Sequence, residues 1–106
     1  MLRAVEAIGF VATVFIVATA SIHYSLAAAT PSSYSEELSR LDALYFTVTT
    51  LATVGYGDVT PTSEVTRSVT MLQMVLGIAL LGAGIRVLLG MARTVAEDRR
   101  TSAERA

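Results

Sequence analysis

Cysteine is absent from this 106-residue chain, which excludes disulfides and thiolate metal sites and leaves the redox compartment undefined. Lysine is absent too, so all eight basic side chains are arginines. Against nine acids they leave a net charge of −1, and nothing in that balance calls for nucleic acid as a partner. Internal repeats and low-complexity linkers are lacking. So are a metal-ligand cluster, a nucleophile–base pair and a catalytic triad, and no enzyme is expected. The Gly-x-Gly at Gly82 and Gly84 has Val87 where a third glycine would stand, and no strand precedes it, so a dinucleotide site is excluded.

What the chain has in excess is apolar sequence. Hydrophobic residues make up 53% and the mean hydropathy is +0.58, above an ordinary soluble domain. The length fits one domain. The run AIGFVATVFIVATASIHYSLAAA, Ala7 to Ala29, carries no acid, lysine or arginine. As a helix it is roughly 34 Å long, enough for a hydrocarbon core of about 30 Å. A cleaved signal peptide is the competing reading, with Arg3 before the run and Ala27-Ala28-Ala29 as a small-residue cleavage site. The run is longer than the usual core of about 7–15 residues, which favours a span.

A second run extends from Ser68 to about Val95, broken only by Arg86 and Arg93. Ser68 to Arg86 is roughly 27 Å of helix, so Arg86 falls near the far interface, where its stem stays in lipid and its head reaches water. Two spans put both termini on one side. The ends carry Arg3, Arg86, Arg93, Arg99, Arg100 and Arg105. The middle carries Arg40 and Arg67 against Glu36, Glu37, Asp42, Asp58 and Glu64. This bias places a multi-pass protein in the cell membrane with both termini cytoplasmic and the middle outside. Acids outside also attract cations to that face. His23, the one histidine, lies on the first span and reads as a packing or hydrogen-bonding group between helices, with a pH sensor as the rival.

Between the spans, TPSSYSEELSR reads as an exposed outer loop. Ser39 then stands three residues before Asp42 in an approximate capping box, and LDALYFTVTTLA follows with apolar residues at helical spacing. The β-branched run Thr47 to Thr50 argues mildly for a strand. The favoured reading is a helix from about Arg40 to Leu51, roughly 18 Å long and too short to cross a membrane. It runs into TVGYGD, Thr53 to Asp58, and the chain is outside again by Val59-Thr60-Pro61.

A helix that enters and an irregular segment that leaves make a re-entrant loop. At membrane depth such backbone is tolerated only inside protein or along a water-filled path. Gly55 and Gly57 take positive φ at little cost, which lets successive carbonyls face one way. A row of carbonyls is a ladder of oxygen ligands that can replace the hydration shell of a cation. One chain supplies too few oxygens per level. Four chains around an axis supply rings, with the Thr53 hydroxyl as one more. The negative C-terminal end of the short helix adds to the attraction.

The stretch ALYFTVTTLATVGYGDVTP, Ala43 to Pro61, with both flanking spans, resembles the potassium-channel pore module of the two-transmembrane prokaryotic type. The resemblance implies an all-α membrane protein: two transmembrane helices flanking a re-entrant pore helix and a selectivity-filter loop, assembled as a fourfold-symmetric homotetramer in the lipid bilayer. The expected division of this single pore domain, 1–106, is an outer helix over about 7–29, an outer loop over 30–39, a pore helix over about 40–51, a filter over 53–57, an inner helix over about 63–95 and a cytoplasmic tail over 96–106. By the same resemblance, the carbonyls of Thr53, Val54, Gly55 and Tyr56, with the Thr53 hydroxyl, bind permeant K⁺ ions. Gly57, Asp58, Tyr45 and Thr49 support the filter. Gly77 is the gating hinge of the inner helix, its structural alternative being close helix packing. Ile78, Leu81 and Ile85 line the cavity.

The chain departs from the family pattern at two places. Many members carry a tryptophan pair where this chain has Tyr45 and Phe46. Tyr45 can still bond towards Asp58, but Phe46 has no donor for Tyr56. Some members carry a carboxylate where this chain has Thr49. Both changes thin the bracing behind the filter, and altered inactivation is expected. An arginine-repeat voltage sensor is not found. The tail RTVAEDRRTSAERA reads as a solvated face, a short helical bundle or the stub of a missing cytoplasmic regulatory domain. Two rival functions remain. A structural two-span protein would not require Gly55 and Gly57. A non-selective cation channel would tend to alter the filter at the tyrosine, and Tyr56 is intact.

Overall fold

A computed structural model describes residues 2–105. They form three α-helices, α1 (Leu2–Ala29), α2 (Arg40–Leu51) and α3 (Glu64–Arg105), with a 3₁₀ turn at Pro31–Ser33. The end residues Met1 and Ala106 of the expected 1–106 domain lie outside the described residues. Among the described residues the only extended pairing is an isolated antiparallel bridge between Tyr34 and Pro61.

α1 and α3 are each long and apolar enough to cross a membrane, by length and composition. Their hydroxyl residues do not oppose this. Thr13, Thr19 and Ser21 donate to the carbonyls of Gly9, Phe15 and Val17 at 2.7, 2.6 and 2.8 Å. Thr70 does the same towards Thr66 in α3, at 2.7 Å. A hydroxyl bonded one turn back needs no water, which lets it sit in an apolar span. α1 stops at Ala29, and Pro31, which cannot continue a helix, follows.

α2 starts at a complete capping box. The Asp42 N–H donates to Ser39 Oγ and the Ser39 N–H donates to Asp42 Oδ2, both at 3.0 Å. Its β-branched run is helical because packing outweighs propensity. Thr47 is fully buried and bonds back to the Ala43 carbonyl at 2.8 Å, while Ala43 and Phe46 face inward with it. α3 starts on a reciprocal pair: the Thr66 N–H donates to Ser63 Oγ at 3.1 Å, and the Ser63 N–H to Thr66 Oγ1 at 3.2 Å.

The helix expected to end near residue 95 runs on to Arg105. Residues 96–105 are mostly alanine, glutamate and arginine, which are strong helix formers. An exposed Arg100–Glu104 pair at 3.4 Å lies one turn apart on that segment.

The apolar core is small and sits where α1, α2 and the segments around them meet. Tyr34, Leu38, Phe46 and Val59 are buried there, with Leu26 and Ala27 packed against them. Tyr34 and Phe46 meet edge to face, ring centres 6.0 Å apart. Most other large apolar side chains are exposed, among them Phe10, Val75 and Ile78. A surface of that kind marks contact with lipid or with other chains.

α3 is continuous through Gly77, which is buried. A Cβ built at Gly77 would stand 2.9 Å from Leu51 Cδ1, so the missing side chain is what lets α3 close on the end of α2. Leu51 Cδ1 is the tip of a flexible side chain and alanine gains about 1 kcal/mol of helix propensity, so Gly77→Ala should cost less than about 1 kcal/mol net despite the overpacking. Adding Leu51→Ala should recover part of that loss, so the double variant is more stable than the two single effects summed. Thermal unfolding in mild detergent reads both.

Candidate functional site

The loop after α2 is shaped by hydrogen bonds from its entering side. The Ala52 N–H donates to Val48 O at 2.9 Å and the Thr53 N–H to Thr50 O at 3.2 Å. The Thr49 carbonyl then accepts from both Val54 N–H, at 2.9 Å, and Gly55 N–H, at 3.3 Å. From there the backbone alternates. Positive φ recurs at Thr53 (63°), Gly55 (55°) and Gly57 (81°). Glycine does this freely. Threonine does not: a β-branched residue held there costs on the order of 1–3 kcal/mol and marks a constrained site.

The leaving side is sewn to the segment after α1. The Ser35 N–H donates to Thr60 O at 2.8 Å and the Thr60 N–H donates to Ser35 Oγ at 2.9 Å. The Thr62 N–H donates to Ser33 O at 2.9 Å, and Thr66 Oγ1 donates to the same carbonyl at 2.8 Å. Between these two anchored legs, no hydrogen bond among the described residues ends on the carbonyl of Thr53, Val54, Gly55 or Tyr56. All four residues are exposed in the single chain.

The expected support residues divide. Tyr45 Oη donates to Asp58 Oδ2 at 2.9 Å, and its ring stacks on that of Tyr56 with centres 6.3 Å apart and planes 2° from parallel. Thr49 does not reach Asp58; its hydroxyl donates to the Phe46 carbonyl at 3.1 Å. Thr53 and Gly55 line a recess of about 300 Å³ with Leu51, Met74, Gly77 and Ile78. Leu81 and Ile85 lie further along α3, exposed and away from that recess.

Sequence reading did not single out Tyr34 or Gln73. Both are buried on His23, which bonds Tyr34 Oη through Nδ1 at 2.6 Å and Gln73 Oε1 through Nε2 at 2.8 Å. The available signal was an amide inside an apolar run, since a polar side chain in a span needs a partner there.

Chemically the site offers oxygen acceptors. No group of three or more His, Asp or Glu side chains able to hold a metal ion occurs among the described residues. The acceptors the loop presents at residues 53–56 are exposed main-chain oxygens, beside the negative C-terminal end of α2. Two phenols outside the spans are shifted. The hydrogen bond to Asp58, then burial, then the charges of Asp58 and Tyr56, raise Tyr45 above its usual value. Burial pushes Tyr34 up to about 12.

An acid whose folded-state pKa is raised stabilises the fold fully below its unfolded value, about 10 for tyrosine. That contribution is lost as pH climbs towards the folded value of about 12. Stability should fall by about 1.4 kcal/mol per pH unit per chain across this window. In Tyr34→Phe the fall should shrink to the part due to Tyr45, as measured by unfolding at a series of alkaline pH values.

Residues 9–94 match the family model described as "Ion channel". A 49-residue stretch is 55% identical to the calcium-gated potassium channel TvoK of Thermoplasma volcanium, covering 46% of this chain and 14% of that protein. A 42-residue stretch is 45% identical to the two pore potassium channel b of Oryza sativa subsp. japonica, covering 40% of this chain and 12% of that protein. The aligned part is thus a small fraction of either relative. With the greater part of its length under the family model and two helices apolar enough to cross a membrane, the chain belongs to the ion channel family and is a membrane protein.

Proposed function

We propose that the chain is the pore subunit of a potassium-selective channel that conducts passively as a homotetramer. The observation that carries this reading is the set of unpartnered carbonyls at Thr53, Val54, Gly55 and Tyr56, in backbone that turns to positive φ at every second residue. Exposed carbonyls between two apolar helices need ligands, and lipid supplies none. Four copies about an axis turn them into stacked oxygen rings that substitute for the water around K⁺, with the Thr53 hydroxyl as the innermost ring. Two relatives named as potassium channels support the choice of ion.

The remaining assignments follow from that placement. α2 is the re-entrant pore helix, and residues 53–57 are the filter. Gly57 and Asp58 close the outer mouth, where Tyr45 ties Asp58 down, and on the entering side the Thr49 carbonyl holds the Val54 and Gly55 amides. α3 is the inner helix, with Ile78, Leu81 and Ile85 lining the cavity. Opening bends or shifts α3 at Gly77, which has no side chain to lock against Leu51. The arginine-rich ends lie in the cytoplasm. A regulatory domain beyond α3 would act by pulling on that helix. Because Thr49 and Phe46 give no side-chain bond to Asp58 or Tyr56, inactivation differs from members that carry those groups.

In planar bilayers with opposed K⁺ and Na⁺ solutions, the reversal potential should follow the K⁺ gradient. Equal permeability would refute the reading. Within one chain a Cβ at Gly55 meets nothing within 4 Å, but Gly55→Ala forces alanine to a φ of 55°. That costs about 1–2 kcal/mol in each chain, so K⁺ current should be lost while membrane insertion persists.

A further inference from the structure

One side chain outside the proposed ion path reaches every element that holds the loop. His23 is 0% exposed in α1. Its Nε2 faces Gln73 of α3 and its Nδ1 faces Tyr34 of the segment after α1. Gln73 in turn donates from Nε2 to the Thr47 carbonyl of α2 at 3.1 Å.

Counting donors fixes the direction of each bond. A carbonyl only accepts, so Gln73 presents its NH₂ to Thr47 and its oxygen to His23. That oxygen only accepts, so His23 Nε2 carries the proton. Nδ1 is then a lone pair, and it takes the Tyr34 O–H. No buried side-chain polar atom among the described residues lacks a partner. A proton on Nδ1 would leave the Tyr34 O–H without an acceptor, and moving the proton off Nε2 would set two acceptors face to face.

We propose that His23, as its Nε2–H tautomer, is the positioning residue that fixes both legs of the TVGYGD loop at once. The entering leg is held through Gln73 and the Thr47 carbonyl, two residues before the Thr49 carbonyl that receives the Val54 and Gly55 amides. The leaving leg is held through Tyr34, which packs on Val59 and bridges Pro61. Phe46 closes the edge of the imidazole, ring centres 5.0 Å apart. The Ser32, Ser33 and Ser35 bonds hold the leaving leg only, and Tyr45 to Asp58 is the one side chain to side chain hydrogen bond made by residues 53–58 among the described residues. A site that selects by ligand position must be held to within about 0.5 Å. A hub joining α1, α2, α3 and the outer segment supplies that constraint from behind. The functional consequence rests on the reading of the loop as the ion path; the tautomer and the bracket do not.

Two measurements test this. The ¹⁵N spectrum of the intact chain in lipid bilayers, labelled at its only histidine, should show a protonated Nε2 and a lone-pair Nδ1. The opposite tautomer or a doubly protonated ring overturns the assignment, whether or not the protein conducts. In single-channel recordings, Tyr34→Phe and Gln73→Met each cut one arm. Each should shorten open bursts about threefold, the effect of one interhelical hydrogen bond in a membrane, with the unitary K⁺ current unchanged. His23→Phe should shorten them at least as much, and adding Tyr34→Phe to it should change nothing further. A purely structural contact would lower the yield of assembled channels and leave the bursts of the survivors unaltered, which overturns the proposal. If the unaltered protein passes no K⁺ at all, the ion-path reading fails and the nitrogen spectrum alone decides the bracket.

Discussion

The whole arrangement depends on one requirement: a main-chain carbonyl held away from bulk water must have a partner. In α1 and α3 the helical ladder supplies it, and the hydroxyls of Thr13, Thr19, Ser21 and Thr70 fold back onto the same helix. At the loop the ladder stops. Among the described residues nothing donates to the Thr53 to Tyr56 carbonyls, and their backbone is held in a conformation that a free threonine would leave. The energy to keep it there comes from the anchored legs, Thr49 on one side and residues 32–35 on the other.

Much of this was legible in the residues. The capping box at Ser39 and Asp42 marks where α2 begins, and the apolar runs mark α1 and the first part of α3. The family resemblance, not local spacing, let Tyr45 be expected to bond towards Asp58, and the two make that bond. The far end of α3 was less legible, because a charged, alanine-rich segment has the same composition in a solvated tail and in a helix. Positive φ at Thr53 carried no signal at all, since threonine gives no hint of a left-handed backbone.

The buried polar column was hidden for another reason. Gln73 looks like one polar residue in an apolar run, and Tyr34 like one aromatic in a polar loop. Only the fold brings them to His23 across a sequence separation that no local pattern spans. Gly77 shows the converse. Its sequence context fits a hinge or a packing site, and Leu51 Cδ1, which would stand 2.9 Å from a Cβ added there, gives it a packing role in this conformation. The two roles are compatible, since a contact that exists only without a side chain is also one that can be released.

The most direct measurement of the central claim is anomalous diffraction from crystals of the protein grown in lipid with Rb⁺ replacing K⁺. Discrete peaks on a fourfold axis, between successive carbonyl levels of residues 53–56, are the predicted result. An assembly without that axis, or a loop with no on-axis density, would contradict the account.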